Sequence, residues 1–129
     1  ETMDMSFSYK PVLLKAIYEY MDSNGRVALP DVVDYFFDFY EDRKAHGMIA
    51  EKSTSIYQKG CYTRKDVEKN ILSNPFKRFE NMRFLMRCKD VETIEANPLI
   101  FRKLTREDWL HIVDGCDKSL EKYYARVKK

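Results

Sequence analysis

Two acidic residues and a lysine have the residue types of a metal-dependent nuclease. Pro30-Asp31 is followed by Asp42-Arg43-Lys44, which matches a Pro-Asp…Asp-x-Lys pattern whose carboxylates bind magnesium while the lysine orients or activates water. That chemistry places the residues on adjoining strands, whereas both halves here fall within one predicted helix. The two acids are then roughly 16 Å apart along the helix axis, so they cannot share one metal ion. We therefore rank a nuclease last among the functions considered and predict no catalytic residue.

The histidines and cysteines form no pattern for a metal site or for a nucleophile. His46 with Cys61, and His111 with Cys116, are isolated pairs, whereas zinc sites need three or four ligands. No cysteine has a base evident beside it, as nucleophilic catalysis requires. The four glycines are isolated, so there is no glycine-rich phosphate loop. The sequence therefore predicts no metal, no cofactor and no small-molecule substrate.

Positive charge is concentrated between Arg64 and Lys89. This range holds eight basic residues and three acids, a net charge of +5, whereas the whole chain carries +2. Basic side chains neutralise phosphates, and asparagine can reach base edges in a groove. We therefore predict that the range binds duplex DNA, with a solvated helix face balanced by Asp66 and Glu68 as the alternative. The predicted contact residues are Arg64, Lys65, Lys69, Asn70, Lys77, Arg78, Arg83, Arg87 and Lys89.

A helix and a hairpin must position these side chains. Thr63 and Asp66 are close to a capping box, which predicts a helix starting at Arg64, and Asn74-Pro75 ends it. Residues 83–88 and 91–96 are short β-capable runs joined at Lys89-Asp90, which predicts a hairpin. A helix followed by a hairpin is the DNA-facing half of a winged helix, with the helix as reader and the hairpin as wing.

The preceding residues predict two helices and a sheet edge. Pro11 suits the first turn of a helix over residues 10–21, which should be buried on most sides. Ser23-Asn24-Gly25 forms a turn, and residues 26–29 add an edge to a small sheet. A second helix runs from Pro30-Asp31 to about Ala45, and five acids share one of its faces. These are Asp31, Asp34, Asp38, Glu41 and Asp42.

The remaining segments are a loop and a C-terminal helix. Residues 48–62 are polar and mixed, and we expect a loop with one short strand near residues 55–57. In both Asn74-Pro75 and Asn97-Pro98, asparagine can serve as N-cap with proline at the first helical position. Thr105 and Asp108 resemble a second capping box, which predicts a final helix over residues 106–126. Its apolar positions recur at helical spacing, so it should pack against the core.

The composition is that of one folded domain. The chain has 129 residues, of which 44% are hydrophobic and 14% aromatic, enough for a core. Its three cysteines lack a Cys-x-x-Cys spacing, which favours a reducing, cytoplasmic setting. No apolar run approaches the roughly 20 residues that span a bilayer, and no signal-peptide pattern is evident at the start. We therefore expect no membrane partner.

A further pattern consists of short segments spread along the chain. They are Tyr9-Lys10-Pro11-Val12-Leu13-Leu14, Gly25-Arg26-Val27, Tyr35-Phe36, Phe39-Tyr40, Asn74-Pro75-Phe76, Phe79 and Asn97-Pro98-Leu99. Together they resemble a small module found towards the C-terminus of bacterial helicase-like proteins of restriction and phage-defence type. The Lys-Pro-x-Leu-Leu segment is also similar to the start of DNA-reading domains attached to some restriction nucleases. The resemblance implies an accessory module of a larger protein, which could be an ATP-dependent helicase or a nuclease, because the ATPase motifs are absent here.

These observations predict a mainly helical α+β fold with a winged-helix-like core. Residues 1–9 are expected to be a linker or a tag remnant, residues 10–96 the winged-helix-like domain, and residues 97–129 a helical extension packed on that core. The predicted function is non-catalytic binding of duplex DNA. The alternative is a protein–protein docking module that uses the acidic helix, residues 31–42, and the C-terminal helix.

Overall fold

The structure is a computed structural model that describes residues 7–88 and 91–127. It is mainly helical with a small antiparallel sheet, so the predicted α+β class is confirmed. The helices are α1 (Tyr9–Tyr20), α2 (Leu29–Ala45), α3 (Ile56–Lys59), α4 (Arg64–Ser73), α5 (Pro75–Asn81), α6 (Pro98–Phe101) and α7 (Arg106–Val127). The strands are β1 (Arg26–Ala28), β2 (Leu85–Cys88) and β3 (Thr93–Ala96).

Helix α1 forms the centre of the core. Apolar residues occupy most of its positions, so it buries almost its whole surface, from Tyr9 to Ile17. It packs against α2 on one side and against α7 on another. Phe36 of α2 is fully buried beside it. The prediction of a first helix that is buried on most sides is confirmed.

The turn between α1 and β1 depends on Gly25. Asp22 Oδ1 accepts hydrogen bonds from Asn24 N at 2.8 Å and from Arg26 N at 3.0 Å, which orders the turn. Gly25 has a φ of +78°, in the left-handed region that favours glycine. A Cβ at this position would lie 2.8 Å from the ring of Phe101. The turn therefore needs glycine both for its backbone and for the approach of Phe101.

The sheet has the strand order β1-β3-β2, with both pairings antiparallel. Leu85 lies opposite Ala96, and Val27 lies opposite Ile94; all four side chains are buried against the helices. The predicted hairpin is therefore confirmed as the β2–β3 pair, and residues 26–28 form a sheet edge as expected. The strands begin later than predicted, at Leu85 and Thr93, and Lys89-Asp90 lie outside the described residues.

The prediction of a short strand near residues 55–57 is wrong, because this segment forms α3. Ser55 caps the helix by accepting a hydrogen bond from Tyr57 N at 3.2 Å. Tyr57 is fully buried and stacks on Tyr40 with 4.0 Å between ring centroids. A capped single turn places this ring in the core, and no neighbouring strand is needed to satisfy its backbone.

Helix α7 packs along α1, as expected for the C-terminal helix. Thr105 and Asp108 form the predicted reciprocal bonds: Thr105 N donates to Asp108 Oδ2 at 2.9 Å, and Asp108 N to Thr105 Oγ1 at 3.0 Å. The buried residues of α7 are Trp109, Cys116, Leu120 and Tyr123. No helix within the described ranges is both long enough and apolar enough to cross a membrane.

A buried polar cluster joins the start of the chain to α7. The carboxylate of Glu51, which is 1% exposed, accepts hydrogen bonds from Ser8 N at 2.7 Å, from Lys52 N at 2.7 Å and from the Tyr123 hydroxyl. Ser8 Oγ also bonds the hydroxyl of Tyr40 at 2.6 Å. Ser8 and Tyr9 belong to the segment 1–9 that the sequence assigns to a linker, yet both are buried in the core.

Candidate nucleic-acid interface

Helix α4 presents lysines to solvent because its apolar residues are fixed on the opposite side. Thr63 Oγ1 accepts from Asp66 N at 3.2 Å, and Thr63 N donates to Asp66 Oδ2 at 2.9 Å, so the predicted helix start is confirmed. These bonds to Thr63 hold the pKa of Asp66 below its usual value. Val67 and Ile71 are buried one turn apart. Lys65 and Lys69, also one turn apart, are exposed and share a face of the helix.

The Asn74-Pro75 step redirects the chain into α5. Pro75, Phe76 and Phe79 of this short helix are buried, so the residues between them face outward. Lys77 and Arg78 are exposed. The aromatic residues of α5 are thus packing residues, and its solvent-facing side carries two cations, Lys77 and Arg78, and one acid, Glu80.

Four of the predicted contact residues have cationic side chains that form no ion pair with a described residue, although the charge of Lys69 contributes to the lowered pKa of Asp66. They are exposed, and within the described part of the chain they form no ion pair or side-chain hydrogen bond. Two lie on α4, one on α5, and one just before β2. They are Lys65, Lys69, Arg78 and Arg83.

The other cations in the range have acidic partners. Arg64 pairs with Asp34 of α2, and its Nη2 lies 3.5 Å from the carbonyl oxygen of Pro30. Lys77 Nζ is 3.8 Å from Glu80 Oε1. Arg87 is 24% exposed, with Nη2 3.9 Å from Glu92 Oε1. Lys89 lies outside the described residues.

The side chain of Asn70 forms a hydrogen bond within the fold. Its Oδ1 accepts a hydrogen bond at 2.9 Å from the hydroxyl of Tyr57, which is buried in the core. Asn70 itself is half-buried. One of its two polar groups therefore fastens α4 to α3, which leaves less of the side chain to contact a base edge.

The acidic face of α2 adjoins the start of α4. Asp34 pairs with Arg64 across the two helices. Glu41 accepts from the Tyr62 hydroxyl and lies 3.2 Å from Lys44 Nζ. The Tyr62 bond is the main cause of the lowered pKa of Glu41, with a smaller contribution from Lys44. Part of the acidic face is therefore used within the fold, whereas Asp38 is exposed.

No metal cluster is evident in the described ranges, and the thiol of Cys116 is buried. No group of three or more histidine, cysteine or acidic side chains is placed there to hold a metal ion. Asp31 and Asp42 both lie on α2, as the sequence predicts. Burial raises the pKa of the Cys116 thiol to about 11, which disfavours the thiolate that nucleophilic chemistry needs.

A cavity of about 670 Å³ lies away from α4 and α5. It sits between the loop after α2 and the end of α7, where Glu51, Lys52 and Arg126 contribute to its lining. None of the predicted contact residues lines it. This cavity is therefore separate from the predicted contact residues.

Sequence reasoning missed how the chain is held just after α5. Arg83 has a φ of +62°, and Asn97 Nδ2 donates to its carbonyl oxygen at 2.8 Å. An arginine in the sequence does not indicate a positive φ, which is typical of glycine.

Comparison with family models, with curated proteins and with solved structures gave no match, so the assignment of a function rests on the residues of this chain.

Proposed function

We propose that this chain is a non-catalytic module that binds duplex DNA through the exposed side of α4 and α5, with the β2–β3 hairpin beside them. One observation carries the proposal. Four cations in this range, Lys65, Lys69, Arg78 and Arg83, are exposed and form no ion pair with any described residue. Exposed lysine and arginine side chains can neutralise the phosphates of duplex DNA.

The order of the elements supports a winged-helix-like core within this proposal. A winged helix runs helix, strand, helices, and then a hairpin whose second strand pairs with the first strand of the chain. Here α1, β1 and α2 are followed by α4, α5 and the hairpin, and β3 lies between β1 and β2. In such a core, the helix before the hairpin and the hairpin itself face the duplex.

The contacts favour the DNA backbone over base edges. The unpaired groups are lysines and arginines, which bind phosphates without reading sequence. Asn70, the one predicted base reader, has its Oδ1 bonded to Tyr57. We therefore expect binding with little sequence preference and with strong salt dependence.

The wider setting remains the one that the resemblance implies. We propose that the module belongs to a larger bacterial protein of restriction or phage-defence type, in which any ATP-dependent or nucleolytic chemistry lies elsewhere. Within that protein the module would hold the duplex while another domain acts on it.

A second candidate function is docking of a basic partner on α2. A groove of about 590 Å³ there is lined by aromatic residues and by acids. Its aromatic residues are Tyr20, Tyr35 and Phe39, and its acids are Asp38, Glu41 and Asp42. This mixture fits a lysine- or arginine-rich segment, through cation–π and ionic contacts.

A gel shift with duplex DNA at low and at moderate salt tests the proposed function. The proposal predicts a complex at low salt that weakens steeply as salt rises. If the chain binds no duplex at low salt, the proposed function is contradicted and the docking function becomes the favoured one.

A further inference from the structure

The chain leaves α5 through an arginine in the left-handed region. Arg83 has a φ of +62°, and the helix end is closed by Phe84 N donating to Phe79 O at 2.9 Å and by Arg83 N donating to Glu80 O at 2.9 Å. This closure usually has glycine, because a side chain at positive φ crowds the backbone. The position therefore carries an arginine where the backbone itself would favour glycine.

Asn97 holds this corner in place. Its Nδ2 donates to the Arg83 carbonyl oxygen at 2.8 Å, and its Oδ1 accepts from Leu99 N at 3.0 Å. Its backbone N donates to Phe84 O at 2.8 Å. One asparagine therefore ties the end of α5 to the start of α6, and Leu99 is held next to Arg83.

The side chains at this corner are directed to solvent. Met82 is 67% exposed and Leu99 is 69% exposed, although both are large and apolar. Arg83, which follows Met82 in the chain and is linked to Leu99 through the side chain of Asn97, is also exposed. A guanidinium flanked by apolar groups matches the sugar–phosphate backbone of a duplex, where phosphate oxygens alternate with deoxyribose rings. The guanidinium can form two hydrogen bonds to one phosphate.

We propose that the Met82-Arg83 corner, fixed by Asn97, is a contact with the DNA backbone, in which Arg83 binds a phosphate and Met82 and Leu99 cover the adjoining sugars. This inference rests on the proposed function and deepens it. Lys77 and Arg78, on the helix that ends at this corner, are exposed as well. Asn97 is a positioning residue because it acts through the carbonyl of Arg83 and not on DNA.

Two glycine variants distinguish the effect of losing the Arg83 side chain from the effect of changing a residue at positive φ. Arg83→Gly removes the side chain and relieves the positive φ. Glu92→Gly also relieves a positive φ, since Glu92 has a φ of +50°, but it removes a negative charge and the acidic partner of Arg87, so it controls for the backbone change alone. Both variants should melt at the temperature of the parent or above it. Arg83→Asn is a second probe, because asparagine tolerates this conformation and carries no charge.

Fluorescence anisotropy with a labelled duplex at two or more salt concentrations provides the readout. The proposal predicts that Arg83→Gly and Arg83→Asn weaken binding about tenfold at low salt. They should also flatten the slope of log affinity against log salt by about 0.9. Glu92→Gly should bind at least as tightly as the parent.

The outcomes distinguish this inference from the function on which it rests. If the parent chain binds DNA but both Arg83 variants bind within about twofold of it with an unchanged salt slope, the corner is not a contact and the proposed function stands. An equal loss in Glu92→Gly would also overturn the inference, since the cause would then be the backbone. If the parent chain does not bind DNA, the proposed function itself fails.

Discussion

Arg64, the first residue of α4, forms an ion pair with Asp34 of the acidic helix α2. The side chains are 53% and 50% exposed, so the pair contributes at most about 1 kcal/mol to stability. Its larger consequence is electrostatic, since a cation at the edge of the proposed DNA surface is neutralised from within the fold. For Arg64 to contact a phosphate, as the sequence predicts, it would have to exchange this carboxylate for that phosphate.

Asp34→Asn should therefore strengthen DNA binding, because it releases Arg64 and removes a negative charge beside the duplex. We expect a gain of several-fold at low salt, and a change of less than about 1 kcal/mol in the free energy of unfolding. Anisotropy titration and denaturant unfolding measure the two quantities. Asp38→Asn is the control, because Asp38 is exposed on the same helix and has no ion pair with a described residue. An equal gain in both variants would mean that the pairing itself has no role.

Phe36→Ala should strongly destabilise the fold. Phe36 is fully buried, and its ring lies 6.2 Å from that of Tyr40 and 6.4 Å from that of Tyr57. Removing it leaves a cavity that we expect to cost about 3–5 kcal/mol, a large share of the roughly 5–15 kcal/mol of a typical domain. Denaturant unfolding measures the loss. A variant with the same free energy of unfolding as the parent would contradict the burial of Phe36 in the core.

Two glycine-to-alanine changes should have opposite effects on stability. Gly25→Ala places a Cβ 2.8 Å from the Phe101 ring at a φ of +78°, so it should destabilise the fold by more than about 1 kcal/mol. Gly115 lies within α7 with nothing within 4 Å of an added Cβ, and alanine there should stabilise the helix by about 0.5–1 kcal/mol. Thermal melts of the two variants should therefore shift in opposite directions. A gain in Gly25→Ala would contradict the described turn.

The Tyr62–Glu41 hydrogen bond should make stability sensitive to acid. This bond is the main cause of the lowered pKa of Glu41, so the folded state holds the charged carboxylate better than the unfolded state does. The contribution is complete above the ordinary carboxyl pKa of 4.5 and is lost as pH falls through the lower pKa of the folded state. Tyr62→Phe should reduce this part of the acid sensitivity. Unfolding measured at several pH values from neutral to acid checks it, and an unchanged profile in Tyr62→Phe would contradict the assignment.

Local sequence patterns were sufficient for the elements whose ends are determined by neighbouring residues. Thr63 with Asp66, and Thr105 with Asp108, satisfy backbone groups three residues away, so a short stretch of sequence contains all that the helix start requires. The hairpin is likewise local, apart from its pairing with β1. These signals located α4 and α7 at their first residues.

Contacts between distant residues could not be predicted in this way. The α3 turn follows from Ser55 capping and from the buried stacking of Tyr57 on Tyr40, 17 residues away in sequence. The partner of Arg64 is 30 residues away. The left-handed Arg83 depends on Asn97, 14 residues further on. The basic range was therefore visible in the sequence, whereas the division of its cations into paired and unpaired groups required the three-dimensional structure.

The most direct test of the proposed DNA surface compares two pairs of lysines with the same helical spacing. Lys65 and Lys69 lie four residues apart on α4, and Lys118 and Lys122 lie four apart on α7; all four are exposed. Each pair has one lysine that interacts with an acid of its own helix: Lys69 with Asp66, and Lys118 with Asp114 at 3.1 Å. Each double alanine variant removes two positive charges, so an effect of net charge alone would treat them alike. The measurement is anisotropy titration of a labelled duplex over a range of salt concentrations.

We predict that Lys65→Ala/Lys69→Ala flattens the slope of log affinity against log salt by about 1.8, which corresponds to two lost phosphate contacts. Lys118→Ala/Lys122→Ala should leave the slope close to that of the parent. Equal losses in the two variants would contradict a binding surface on α4 and α5.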